Sequence, residues 1–114
     1  MLFRSQANIR DGVRCSAAEA YLKPAKHRPN LTIKTDVFVN KLRLSGLKAV
    51  GVECVIGGST TMIEARQEVI LSTGTIASPQ LLMLSGIGPA AHLREHGVTI
   101  QHDLPGVGDR KSVV

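Results

Sequence analysis

Gly74-Thr75-Ile76-Ala77-Ser78-Pro79-Gln80-Leu81-Leu82-Met83-Leu84-Ser85-Gly86-Ile87-Gly88 is the stretch on which the reading of this chain turns. It follows Glu68-Val69-Ile70-Leu71-Ser72-Thr73, whose apolar centre lacks alternation, as expected of a strand buried on both faces of an α/β sheet. Gly74 comes directly after that strand, and residues 77–84 then read as a helix with Pro79 in its first turn. A buried strand that ends in glycine and leads into a helix lets backbone approach a dinucleotide. The helix start also offers free amides to anions. Taken alone the pattern is weak, because many strand-to-helix junctions bind nothing.

On either side the chain is ordered simply. Ser16 followed three residues later by Glu19 is a capping-box pattern, so residues 16–22 are expected to form a short helix, ended by Pro24 and by the turn at Arg28-Pro29-Asn30. Leu31-Thr32-Ile33-Lys34-Thr35 alternates apolar and polar side chains and reads as a half-buried strand. Residues 37–44 and 49–56 read as two further strands joined at Ser45-Gly46. Gly57-Gly58-Ser59-Thr60 makes a hairpin-like break before a polar strand over 61–67. Residues 89–96 read as a second short helix closed by Gly97, and residues 98–102 as another short strand.

A length of 114 residues fits one domain at most, and 43% hydrophobic with 20% charged residues is ordinary for a globular chain. The chain has no Trp, one Tyr and two Phe, too few for stacking platforms. Its charge of +5 is scattered. The only local basic cluster, Lys23, Lys26, His27 and Arg28, follows a helix and reads as a solvated turn, so no nucleic-acid partner is expected. No apolar run approaches the roughly 20 residues that cross a bilayer. Cys15 and Cys54 are expected to be free thiols, and the chain is expected in the cytoplasm, with membrane association of a larger parent left open.

The wider string carries a resemblance. Gly74, Ser78, Pro79, Leu81, Leu82, Ser85, Gly86 and Gly88 match in spacing the second signature of the glucose-methanol-choline (GMC) oxidoreductases, FAD enzymes that oxidise alcohols. Gly12-Val13-Arg14-Cys15-Ser16, Tyr21-Leu22, Pro29-Asn30-Leu31 and Leu104-Pro105-Gly106-Val107-Gly108 also resemble this family, in particular its choline dehydrogenase-like members. The resemblance covers nearly all of residues 6–108. It implies an α/β fold: a piece of a Rossmann-like FAD-binding domain with an antiparallel β-meander. It also implies FAD as cofactor and a small-molecule alcohol as substrate of the parent enzyme, oxidised to an aldehyde. Residue by residue, Val39 resembles the position whose backbone meets the adenine part of FAD, although a buried strand valine reads the same way. Ser72, Thr73 and Gly74 correspond to the strand end that runs beside the cofactor.

The departures matter as much. The family's Gly-x-Gly-x-x-Gly loop does not occur in the sequence, and none of His27, His92, His96 or His102 sits in the context of the catalytic histidine. No catalytic residue is therefore assigned, and the chain alone is expected to be inactive. His92-Leu93-Arg94-Glu95-His96 fits a zinc-peptidase pattern, but zinc chemistry needs a third protein ligand and an open site, and a solvated helix is the better reading. Residues 1–5 and 109–114 can be encoded by the two ends of a sequencing-library adapter and are expected to be non-native. Without them the charge falls from +5 to +3. The competing reading is a freestanding, non-catalytic binding module, which would have to bury its own core.

Overall fold

The computed structural model describes residues 8–109. They fall into two compact units divided between Thr35 and Asp36. Of the adapter-like ends 1–5 and 109–114, all but Asp109 lie outside the described residues.

In the first unit, β1 (Ile9–Arg10) and β2 (Val13–Arg14) form a minimal antiparallel hairpin. A π-helical segment, Ala18–Leu22, runs into the single turn α1 (Lys23–Ala25). Half of the expected capping box is present: the Glu19 amide donates to Ser16 Oγ at 3.3 Å. The Glu19 carboxylate does not complete the box and instead pairs with Lys23 Nζ at 3.1 Å, one turn on. Pro24 does not end the helix. It stands in the first turn of α1, just after the π-helical segment, the part of a helix where proline is tolerated. Residues 31–35 have the alternation of a strand but no ladder partner among the described residues, and they stay irregular.

The second unit is built on a three-stranded antiparallel meander of β3 (Val37–Ser45), β4 (Lys48–Ile56) and β5 (Ser59–Glu64), in the order of the sequence. The strands and the mixed α/β class agree with the expectation from sequence. A bulge in β3 was not legible there. Val39 opposes Cys54 and Lys41 opposes Glu53, so Asn40 is inserted between them. Simple alternation would put Lys41 on the face of Val39. The inserted residue puts Leu42 there instead, opposite Val52. That face carries the buried Leu42 and Cys54, while Lys41 pairs with Glu53 on the other face at 3.6 Å.

Helix α2 (Ala77–Leu84) packs on β3 and buries Leu81. Pro79 occupies the third helical position, where its absent N–H would have had no intrahelical partner. The helix stops at Gly86, whose φ of +84° is the left-handed conformation that glycine supplies without a Cβ penalty. β6 (Ile87–Gly88) then pairs in parallel with β7 (His102–Asp103) around α3 (Ala90–Glu95). The Asp103 carboxylate accepts from the Ala90 amide at 2.9 Å and so satisfies a donor at the start of α3. Leu93 anchors that helix at 2% exposure. The short strand expected over 98–102 is found at 102–103 instead, overlapping the expectation only at His102, and is parallel, joined to β6 across the α3 connection.

Residues 68–73 do not form the predicted strand. Among the described residues no amide from 66 to 73 donates a backbone hydrogen bond, and Ile70 is 77% exposed. A parallel central strand is held by ladders on both edges, and the described residues supply neither.

Candidate functional site

The residues expected at the cofactor lie on two elements of the second unit. Val39 sits at the bulge of β3, half-buried, with its side chain on the sheet face of Leu42. Bulges redirect backbone and side chain locally, which is why they recur beside binding sites. Ser72, Thr73 and Gly74 are exposed and run directly into the turn before α2. Among the described residues no hydrogen bond or strand pairing joins Val39 to Ser72, Thr73 or Gly74.

The turn at Gly74 is nonetheless ordered by its own bonds. The Ser78 amide donates to the Gly74 carbonyl at 3.0 Å, and the Thr73 and Ser78 hydroxyls share a hydrogen bond of 3.0 Å. Gly74 has φ +95°, and a Cβ built on it would meet no atom within 4 Å. Glycine is thus required here by conformation and not by crowding within the chain. The space beside it is open to whatever approaches the backbone.

This geometry accommodates a dinucleotide in part. An unpaired, exposed backbone segment ending in a left-handed glycine can be approached closely by a flat or anionic group. A half-buried strand valine can line its apolar part. The residues present do not form a pyrophosphate clasp, since a glycine-rich loop is not in the sequence.

His92 on α3 and His96 at its C-cap stand one turn apart, with ring centroids 4.6 Å apart in an edge-to-face arrangement. Among the described residues no group of three or more His, Cys, Asp or Glu is placed to hold a metal ion. Cys15 and Cys54 are both free thiols, Cys54 fully buried. No helix among the described residues is long and apolar enough to cross a membrane.

The signal that sequence reasoning missed is Ser85. Its buried hydroxyl accepts from the Leu42 amide at 2.7 Å and donates to the Leu81 carbonyl at 2.6 Å. Only its place in the signature string pointed to it, because the partner on β3 is 43 residues away.

Comparison with known proteins bears on the whole of this region. The chain is 53% identical over 103 residues to oxygen-dependent choline dehydrogenase of Brucella ovis, covering 90% of this chain and 19% of that protein. It is 47% identical over 98 residues to oxygen-dependent choline dehydrogenase of Photobacterium profundum, covering 86% of this chain and 17% of that protein. The chain therefore spans about a fifth of the length of these curated relatives. Among solved structures it is similar to pyridoxine 4-oxidase from Mesorbium loti, with a TM-score of 0.77 and 43% identity over 86% of this chain and 19% of that one. It is also similar to a FAD-dependent oxidoreductase from Chaetomium thermophilum, with a TM-score of 0.76 and 35% identity over 82% of this chain and 16% of that one. Residues 4–112 match the family described as GMC oxidoreductase, and the chain belongs to that family.

Proposed function

We propose that this chain is the part of a choline dehydrogenase-like flavoenzyme that lines the adenine side of FAD, and that the parent oxidises a primary, choline-like alcohol to the aldehyde. The cofactor is FAD, as the family and the FAD-dependent structural neighbours indicate. When bound, FAD supplies the hydride acceptor for the alcohol. Residues 6–108 form the partial FAD-binding domain in this reading, with the adapter-like ends outside it.

One observation carries the reading. Within a segment matched to the family, residues 72–74 present an exposed backbone that ends in a left-handed glycine with open space beside it. Ser72, Thr73 and Gly74 offer backbone to the cofactor, and the Thr73–Ser78 hydroxyl pair holds the turn that presents it. Val39 lines the adenine from the bulge of β3. Proton transfer from the alcohol falls to a histidine of the parent outside this chain, so the chain alone turns over no substrate. Free thiols at Cys15 and Cys54 suit a reducing, cytoplasmic setting for the parent.

A freestanding binding module accords less well with the structure. Ile70 and Ile76 are 77% and 83% exposed on either side of Gly74. The buried hydrophobic side chains among the described residues are Leu42, Cys54, Leu81 and Leu93, too few for the core that a freestanding module has to supply for itself.

The test is to express the complete reading frame containing this segment and purify the product. The reading expects a bound flavin, released on denaturation as FAD, and its bleaching by choline under anaerobic conditions. A product that carries no flavin refutes the cofactor assignment. One that carries flavin but is not reduced by choline or another primary alcohol refutes the substrate class.

A further inference from the structure

Ser85 links the two elements that carry the candidate site. It is buried, and its hydroxyl bonds the Leu42 amide of β3 and the Leu81 carbonyl of α2. Every other side-chain hydrogen bond among the described residues joins positions at most 13 apart in sequence, whereas this one spans 43. Leu42 and Val39 share a sheet face because of the intervening bulge, so a bond at Leu42 fixes the stretch of strand that carries Val39. At its other end, α2 begins three residues after Gly74, and the Ser78 amide is bonded to the Gly74 carbonyl. An eight-residue helix with its backbone ladder made moves as a unit, so pinning its last turn also places its first.

We propose that Ser85 is a positioning residue for FAD: through Leu42 and α2 it sets the spacing between Val39 and the Gly74 turn. This rests on the cofactor reading given above. The chemistry asks for a small hydroxyl at this position. It must accept from the strand amide and donate to the helix carbonyl at once, which neither alanine nor a donor-only group can do. Alanine would leave the Leu42 N–H buried without this partner.

Ser85→Ala, Ser85→Cys and Ser85→Thr are read in the 114-residue chain by amide-resolved NMR, and in the product of the complete reading frame by quenching of flavin fluorescence when the apoprotein is titrated with FAD. For Ser85→Ala the proposal expects exchange of the Leu42 amide to speed up by about tenfold or more, as for loss of one buried hydrogen bond. Resonances of Val39 and of residues 73–78 should shift together, and the FAD dissociation constant should rise by about tenfold. Ser85→Thr, which keeps the hydroxyl, should restore all three. Ser85→Cys keeps the volume with a weaker bond and should fall between them, and it serves if the alanine variant does not fold. A change confined to Leu42 and Leu81, or wild-type FAD affinity in Ser85→Ala, overturns the assignment alone. A wild-type product of the complete reading frame that does not bind FAD overturns the cofactor reading and the assignment with it.

Discussion

Gly74 and Gly86 flank α2 with similar positive φ, +95° and +84°, yet their surroundings are opposite. Substituting each by alanine therefore separates conformational cost from crowding. An L-residue in the left-handed region costs about 1–2 kcal/mol at either site. At Gly74 nothing lies within 4 Å of the new Cβ, so that is the whole expected cost. At Gly86 the Cβ runs into the Thr99 carbonyl oxygen and lies 3.1 Å from the Gln101 amide nitrogen, both of them backbone atoms that cannot rotate away. Relief requires moving the β7 approach, where the Gln101 and His102 amides donate to the Gly86 carbonyl at 2.8 and 3.1 Å. Overpacking of this kind adds about 1–3 kcal/mol. Urea unfolding of the two variants at an unchanged m-value should thus place Gly86→Ala below Gly74→Ala by about 1–3 kcal/mol. Equal destabilisation, or a larger loss at Gly74, would refute the reasoning, because it would mean that the Gly74 turn is packed within the chain and not open.

Other outcomes follow from the same packing. Leu93→Ala, at a site 2% exposed, should cost about 2–5 kcal/mol and abolish amide protection in α3 before that of β4, as followed by hydrogen exchange. A bulky thiol reagent should modify Cys15 in the folded chain and reach the fully buried Cys54 only on unfolding, which mass spectrometry of the labelled peptides resolves. Lys41→Ala should change stability by no more than about 1 kcal/mol, since its 3.6 Å pair with Glu53 is partly exposed, and that small effect should shrink further at high salt in the same unfolding assay.

What the sequence made legible was local. The Ser16 half of the Ser16–Glu19 cap, the helix from 77 to 84 and the turns of the meander all depend on residues close together in the chain, and all are present. The Asn40 bulge was not legible, because an inserted residue leaves no trace in the alternation until the partner strand is known. Residues 31–35 and 68–73 have strand-like composition but no ladder among the described residues, and a strand exists only through its neighbours. The β6–β7 pairing and the Ser85–Leu42 bond are tertiary events between positions 15 or more apart. The candidate site divides the same way. Strand, glycine and helix suggested an approach to a ligand, whereas Val39 entered only through its match to a family position, since a half-buried strand valine has no distinguishing chemistry of its own.

Val39 and residues 72–74 are proposed to line FAD in the parent enzyme. A crystal structure of the full-length parent with its flavin tests this placement most directly. In that structure the backbone of Val39 should lie against the adenine and the segment ending at Gly74 in van der Waals contact with the cofactor, with a Cβ at Gly74 blocked by it. A flavin seated elsewhere, with Gly74 open to solvent or covered by another strand, would contradict it.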